Sequence, residues 1–187
     1  MRSPRIPPVG YLLALTCLAL SGCVGEEPTS AASPTVTNTS LFASNDETLA
    51  AAVAAFQRYL DVQNAVASDP SLSLGVFDDV TIDPLLSVEI NGATKQRDSG
   101  LLRTGQVKVD SPILEYSEYQ PDGRLLVRAF VCLDMTDTRI LDAQNSDVTP
   151  ASRDDRVELH VFAFTKTAGS SDLIMGRSEL WQYDGRC

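Results

Sequence analysis

Residues 156–166 have the sequence RVELHVFAFTK, in which apolar side chains recur at every second position. This period of two predicts a β-strand with a buried face, because successive side chains of a strand point to opposite faces. An earlier run has the same period, at Leu125, Val127, Ala129, Val131 and Leu133. Pro121–Asp122–Gly123 precedes that run and favours a tight turn, since proline presets φ and glycine permits a positive φ. We therefore expect consecutive strands of an antiparallel meander.

Two further strands are expected on either side of these runs. One covers Val107–Val109 and Ile113–Tyr119, with a break near Pro112. The other covers Leu173–Tyr183 at the end of the chain. Residues 137–155 are polar and predict a long loop between strands. The acidic residues of this loop lack the spacing of a calcium-binding loop, so we expect them to be solvated. They are Asp142, Asp147, Asp154 and Asp155.

The segment ahead of the meander predicts a helix. Ser44–Glu47 fits a capping box, with serine at the N-cap and glutamate three residues later. Apolar residues then recur at helical spacing, at Leu49, Ala52, Val53, Phe56, Tyr59, Leu60, Val66 and Ala67. Asp69–Pro70 ends the pattern, so we expect an amphipathic helix over residues 46–68. Phe56 and Tyr59 are expected in its packed core, with ligand contact as the alternative.

A second helix is expected over residues 84–98. Asp83–Pro84 supplies an N-cap residue followed by a proline suited to the first helical position. Val88 and Ile90 also alternate like a strand, and Asn91–Gly92 would suit a hairpin, which is the alternative. Helices followed by a meander predict an α+β fold. In it the N-terminal helices pack on one face of a curved antiparallel sheet of about four strands.

The composition limits the classes of function. The chain has 187 residues, of which 43% are apolar and 21% charged, as in an ordinary globular protein. It carries 15 basic and 25 acidic residues, so a nucleic-acid partner is not expected, because phosphate binding needs a basic patch. One histidine and four cysteines leave little material for a zinc or redox site. We therefore expect no metal and no cofactor.

The N-terminus predicts export. Arg2 and Arg5 precede the apolar segment YLLALTCLA at residues 11–19, which is too short to span a hydrocarbon core of about 30 Å. The segment ends in Leu20–Ser21–Gly22–Cys23, which resembles a bacterial lipobox. The resemblance implies that residues 1–22 are a lipoprotein signal peptide. It also implies that Cys23 becomes the mature N-terminus and carries acyl chains such as palmitate. The alternative is an ordinary signal peptide cut nearby, with an incidental thiol at Cys23.

Residues 23–45 predict a flexible tether behind the lipidated cysteine. Ser, Thr, Pro and Ala fill 13 of the 22 positions from Val24 to Asn45, and such a segment buries too little surface to order itself. Removal of Arg2 and Arg5 leaves a formal charge of −12, which an anionic leaflet repels. We therefore expect a body that stands off the cell membrane on its extracytoplasmic side, held by the lipid anchor.

Three motifs occur in order along the domain: Gly100–Gly105 (GLLRTG), Cys132–Leu133–Asp134 and the terminal Cys187. In this order they resemble lipobox-bearing actinobacterial lipoproteins of the nuclear-transport-factor-2-like superfamily. The resemblance implies a cone-like α+β domain over residues 46–187, in a group whose functions are mostly unknown. Many members have Gly-Trp where this chain has Asp172–Leu173, so the resemblance does not extend to a shared ligand.

A disulfide between Cys132 and Cys187 is expected. If Cys17 leaves with the signal peptide and Cys23 is lipidated, these two cysteines remain in the exported domain. An even pair of cysteines normally forms a bridge in an oxidising compartment. The alternative is a pair of buried free thiols.

The superfamily encloses a pocket in its cone, and its enzymes use a carboxylate or an Asp/His pair there. Glu158 and His160 are two residues apart, so they share a strand face with Phe162 and Phe164, and this face would line such a pocket together with Asp134. Further titratable groups available for such chemistry are Glu179, Tyr116 and Tyr183. The alternative is a solvated sheet edge.

Two functions are compatible with these residues. The first is a non-enzymatic binding or accessory module of the cell envelope, which takes a small apolar ligand in the cone or an envelope protein on the outer sheet face. The second is an exported isomerase- or dehydratase-like enzyme that uses His160 and a pocket carboxylate as base and acid. Convergence of Glu158, His160 and Asp134 on one enclosed cavity would favour the enzyme. A filled cone would favour the binding module.

Overall fold

The computed structural model describes residues 40–181, Gly185 and Cys187. Two α-helices come first, α1 (Asn45–Ser68) and α2 (Leu85–Asp98), and a 3₁₀ helix (Leu74–Asp79) lies between them. The strands follow as β1 (Leu102–Thr104), β2 (Lys108–Tyr119), β3 (Leu125–Asp134), β4 (Arg139–Leu141), β5 (Arg156–Thr165) and β6 (Leu173–Leu180). The fold is the predicted α+β arrangement. The expected signal peptide, the lipidated Cys23 and the tether up to residue 39 lie outside the described residues.

The capping box that the sequence predicted starts α1. The Ser44 hydroxyl accepts a hydrogen bond from the Glu47 amide at 3.1 Å, and the Glu47 carboxylate accepts one from the Ala43 amide at 2.7 Å. The core begins before the helix, because Phe42 is buried and Leu41 packs against the same cluster, although the sequence assigns both to the tether. α2 confirms the helix over the alternative hairpin. Pro84, expected at the first helical position, lies one position earlier as the N-cap residue.

Four strands form the main antiparallel sheet, in the order β2, β3, β5, β6. The β3–β5 register pairs Phe130 with His160 and Cys132 with Glu158. The pairing of β2 with β3 shifts at two places, between Asp110 and Ile113 and between Leu114 and Tyr116. The first shift lies beside Pro112, where the sequence predicted a break, because proline has no N–H for the ladder.

β1 and β4 form a second, two-stranded sheet that the sequence did not predict. Leu102 pairs with Leu141, and Thr104 pairs with Arg139. The expected loop over residues 137–155 is therefore wrong for its first part. Each of these strands has three residues, which is too few for a periodic pattern to indicate a strand.

The two glycines of the GLLRTG motif fix the path of the chain into and out of β1. Gly100 and Gly105 have φ angles of +68° and +79°, in the left-handed region that glycine adopts without steric cost. A Cβ atom at Gly105 would lie 2.2 Å from the Asp137 carbonyl oxygen. Only glycine therefore permits the backbone before β4 to approach the end of β1 this closely.

The core lies between α1 and the sheet face turned toward it, which we call the inner face. Phe56, Leu60, Val127, Val131 and Met175 are among its fully buried side chains. Apolar side chains therefore fill the space between α1 and the inner face. Within the described part of the chain, neither helix has the length and apolar character needed to cross a membrane.

Candidate functional site

Glu158 and His160 lie on the opposite, outer face of the sheet. Their neighbours in β5, Val161 among them, belong to the core beneath α1, so the alternating residues point away from it. Both side chains are nevertheless largely buried, with exposed fractions of 9% for Glu158 and 4% for His160. The sequence correctly predicted that the two share a face. The expectation of a solvated edge fails for them, because the C-terminal residues cover this part of the sheet.

His160 is the centre of what we call the outer-face cluster, formed with Glu115, Arg128 and Trp181. Its Nδ1 lies 2.6 Å from Glu115 Oε2, and Arg128 Nε lies 2.8 Å from the same oxygen. The ring of Trp181 meets the His160 ring edge-on, with 4.4 Å between centroids. His160 Nε2 has no hydrogen-bond partner among the described residues. In this cluster the Glu115 carboxylate is thus shared between His160 and Arg128. The indole ring of Trp181 packs against His160.

Glu158 holds the C-terminal residues in place. The Trp181 amide donates to the Glu158 carbonyl oxygen at 2.9 Å, and the Cys187 amide donates to Glu158 Oε1 at 3.1 Å. Cys187 forms the predicted disulfide with Cys132, which lies opposite Glu158 in the register, and the two Cα atoms are 5.6 Å apart. The carboxylate of Glu158 therefore accepts a structural hydrogen bond at this position.

Asp134 lies apart from this cluster. It ends β3 opposite Arg156, and its carboxylate accepts hydrogen bonds from the hydroxyl and the amide of Thr136. These bonds lower the pKa of Asp134 below its ordinary value, since they favour the charged form. The structure thus brings Glu158 and His160 together but does not bring Asp134 to them.

Arginine side chains cover the aromatic residues of the outer face. The Arg128 guanidinium lies 5.1 Å from the centroid of the Phe162 ring, and the Arg177 guanidinium lies 5.3 Å from the same centroid. Arg124 lies 5.4 Å from the centroid of Phe164 in the same way. Cation–π contacts of this kind keep the rings from water while the charged groups stay solvated.

A second polar cluster lies between the helices, and the sequence did not predict it. The Tyr59 hydroxyl donates to Glu89 Oε1 at 2.6 Å. Gln63, one turn after Tyr59, donates to the Tyr59 hydroxyl at 3.0 Å and to Glu89 Oε2 at 3.2 Å. Burial raises the pKa of Tyr59 above its ordinary value, and the Glu89 carboxylate raises it further. Tyr59 is therefore a neutral donor to the half-buried Glu89 carboxylate.

Arg103 brings the cationic group to this cluster from β1. Its Nη2 donates to Asn64 Oδ1 at 3.2 Å and to the Gln63 carbonyl oxygen at 3.4 Å. Burial lowers the pKa of Arg103, while the electrostatic interactions with Tyr59 and Glu89 act in the opposite direction. Its Nε is buried and has no hydrogen-bond partner among the described residues. Among the described hydrogen bonds of the guanidinium, all are therefore formed by Nη2.

Three of these residues, Gln63, Glu89 and Arg103, line a cleft of about 250 Å³ between α1 and α2, which we call the interhelical cleft. Its lining residues are Gln63, Val66, Ala67, Phe77, Glu89, Gly92, Ala93, Gln96 and Arg103. Of this site the sequence analysis named only Tyr59, expected in the packed core with ligand contact as the alternative. Glu89 and Arg103 come from separate elements, and nothing in the sequence pattern joins them.

Two larger clefts lie elsewhere on the surface. One, of about 480 Å³, lies between the start of α1 and residues 112–117 of β2. The other, of about 550 Å³, lies between α1 and residues 104–106. Glu158, His160 and Asp134 line none of these three clefts. Among the residues that the structure describes, no group of three or more His, Cys, Asp or Glu side chains is arranged to hold a metal ion.

Comparisons with known proteins give a fold and no family. No protein-family model matches the chain, and no curated protein matches it. Among solved structures, it is similar to the intermembrane-space region of the chloroplast protein ARC6, with a TM-score of 0.51 and 13% sequence identity. The match covers 72% of this chain and 97% of that one. At this identity, the likeness shows that the two share a fold and nothing about function.

Proposed function

We propose that the protein is a membrane-tethered lipoprotein of the extracytoplasmic side whose folded domain binds a partner. The lipobox at Leu20–Cys23 motivates the anchor. The disulfide between Cys132 and Cys187 carries the proposed location, because such bridges persist in oxidising compartments outside the cytoplasm. The same proposal assigns the domain to the nuclear-transport-factor-2-like superfamily, and the α+β arrangement supports that assignment.

A binding role is supported by what surrounds the residues suited to catalysis. A general base must reach the proton that it abstracts, yet His160 is enclosed by Glu115, Arg128 and Trp181. The interior between α1 and the sheet is filled by apolar side chains. These features favour an envelope protein on the outer face, or a small ligand outside the core, over an apolar ligand inside it.

One observation favours the alternative of an isomerase- or dehydratase-like enzyme. Glu115 and His160 form a carboxylate–imidazole pair, and His160 Nε2 has no described hydrogen-bond partner. Such a pair acts as a general base when the free nitrogen can reach a substrate. In this alternative Glu115 takes the place that the sequence gave to Glu158 or Asp134.

The anchor is tested by Cys23→Ala in the full-length protein. We expect this variant to leave the detergent phase in phase partitioning, or to accumulate with its signal peptide attached. Cys17→Ala is the matched control, because it removes a cysteine from the same segment and should leave partitioning unchanged. A Cys23→Ala protein that partitions like the wild type with the same mature mass would refute the anchor.

The binding role is tested by His160→Gln. In intact envelopes, covalent cross-linking of the wild type and the variant should capture the same partner proteins in the same amounts. A partner must also bind the purified protein directly before it supports the proposal. If the wild type turns over a substrate and His160→Gln abolishes that turnover at unchanged melting temperature, the enzyme is the better explanation.

A further inference from the structure

We infer that the interhelical cleft binds a free α-amino acid with an apolar side chain. The inference rests on the proposed binding function and names a ligand for it. Three features of the cleft carry the argument: two opposite charges held apart, an apolar wall of limited volume, and a glycine in the middle of a helix.

The charges of the cleft are complementary to a zwitterion. Glu89 supplies a fixed negative charge and Arg103 a fixed positive charge, and no ion pair of 4 Å or less joins them within the described residues. Each is held instead by neutral neighbours, Glu89 by Tyr59 and Gln63, and Arg103 by Asn64. A ligand carboxylate toward Arg103 and a ligand ammonium toward Glu89 would satisfy both charges at once.

The hydrogen-bonding groups that remain available in the cleft also match a zwitterion. Only Nη2 of Arg103 forms described hydrogen bonds, and a guanidinium has five N–H donors, so donors remain for an acceptor. Each oxygen of Glu89 accepts one described hydrogen bond, while a carboxylate accepts about four. The site can therefore receive a further acceptor at Arg103 and further donors at Glu89, as a carboxylate and an ammonium would provide.

The remaining lining limits the size and polarity of the side chain. Val66, Ala67, Phe77 and Ala93 give the cleft an apolar wall. Its volume of about 250 Å³ lies below the range of about 300–1,000 Å³ that drug-sized ligands occupy. An apolar amino acid such as leucine matches both the wall and the volume.

Gly92 keeps the cleft open. It lies within α2, where glycine is a poorer helix former than alanine. Packing does not require glycine there, because an added Cβ would meet no heavy atom within 4 Å. Gly92 lines the cleft, and a larger side chain at this position would occupy the open space beside it.

The test measures binding of single amino acids to the purified mature protein in detergent by isothermal titration calorimetry. All apolar amino acids are titrated in turn at millimolar concentration. The amino acid that binds most tightly is then compared with two of its derivatives. The N-acetyl derivative lacks the ammonium charge, and the amide derivative lacks the carboxylate charge. We expect both derivatives to bind at least about tenfold more weakly. If no amino acid binds, or if both derivatives bind as well as the parent, the inference is wrong.

Substitutions locate the binding. Gly92→Val and Arg103→Gln should each weaken binding at least about tenfold, whereas Asn91→Val changes the adjacent exposed residue and should leave it unchanged. Gly92→Ala provides a milder probe if Gly92→Val does not fold, and melting curves verify folding. Unchanged affinity in both folded cleft variants would overturn the assignment to this cleft.

The same titration on Cys23→Ala separates this inference from the proposed anchor. The cleft lies in the folded domain, so this variant should bind the amino acid as the wild type does even where it no longer partitions into detergent. Loss of the anchor with retained binding refutes only the lipoprotein. Retained anchoring without binding refutes only the ligand.

Discussion

The outer-face cluster and the interhelical cleft combine the same kinds of group in opposite ways. Each contains a carboxylate, an arginine and a ring that hydrogen-bonds to the carboxylate. In the outer-face cluster, Arg128 contacts Glu115 directly, and the C-terminal residues lie over both His160 and Glu158. In the cleft, Arg103 and Glu89 form no ion pair among the described residues, and both line the open space. The first arrangement satisfies its charges internally, and the second leaves charges for a ligand.

The comparison shows that residue type alone is a poor guide to a site. His160 was the most conspicuous titratable residue of the sequence, yet its neighbours enclose it. Glu89 attracted no attention in the sequence, and it lines the cleft between the two helices. The two sites differ because the C-terminal residues, linked to β3 by the disulfide, lie over the outer-face cluster and not over the cleft. The predictions below test this difference.

The largest effect is expected from removing the disulfide. Cys132→Ala/Cys187→Ala opens a link between residues 55 apart in sequence, for which the chain-entropy model gives a loss of about 4 kcal/mol. Urea denaturation followed by circular dichroism measures this loss. Trp181 is the single tryptophan of the chain, so its emission should shift to the red when the outer-face cluster is uncovered. The expectation fails if the double variant unfolds at the urea concentration of the wild type.

An intermediate effect is expected from Glu115→Gln. The substitution removes the charge shared by His160 and Arg128, and hydrogen bonds to charged groups contribute about 1.5–3 kcal/mol. Glu118→Gln is the matched control, because Glu118 lies on the same strand and forms no ion pair among the described residues. Equal free energies of unfolding for the two variants would show that the cluster does not stabilise the fold.

A pH-dependent effect is expected from Tyr59→Phe in the cleft. Because the pKa of Tyr59 is raised in the folded state, its stabilising contribution is complete below its ordinary value of 10.0 and is lost as the pH rises above it. One proton bound only by the folded state gives a slope of about 1.4 kcal/mol per pH unit. Urea denaturation from about pH 8 to about pH 11 should show a smaller loss in Tyr59→Phe than in the wild type. If the free energies of unfolding of the two proteins fall in parallel with pH, Tyr59 does not have a raised pKa in the folded state.

The smallest effect is expected from Gly92→Ala. Alanine should stabilise α2 by about 0.5–1 kcal/mol, since it lowers the entropy of the unfolded chain and meets no heavy atom within 4 Å. Thermal unfolding measures the gain. A destabilised Gly92→Ala protein would indicate that Gly92 serves the packing of the helix rather than the space beside it.

The sequence predicted the regular elements because their signals are local. The capping box at Ser44–Glu47 and the period of two in β3 and β5 depend on neighbouring residues, and both elements formed as expected. The pairing of Cys132 with Cys187 followed once the other two cysteines were assigned to the signal peptide and the anchor. β1 and β4 could not be predicted, because each has three residues and gains its structure from the other.

The two polar sites were predicted only as far as their signals are local. The shared face of Glu158 and His160 follows from strand geometry, but their burial depends on Trp181 and Cys187, which return from the end of the chain. The interhelical cleft joins Tyr59, Glu89 and Arg103 from three elements, and such contacts arise only when the elements pack. Periodicity indicates which face a residue occupies and does not indicate what lies opposite.

The two register shifts in β2 have a consequence for how copies of the protein meet. β2 is an edge strand of the sheet, and an uninterrupted edge invites strands of other molecules to pair with it. Pro112 lacks the N–H such a strand would need, and Ser111 beside it has a φ of +48°, outside the extended region. Few consecutive residues of the edge therefore present a regular ladder. This irregularity therefore limits edge-to-edge pairing between copies of the protein through β2.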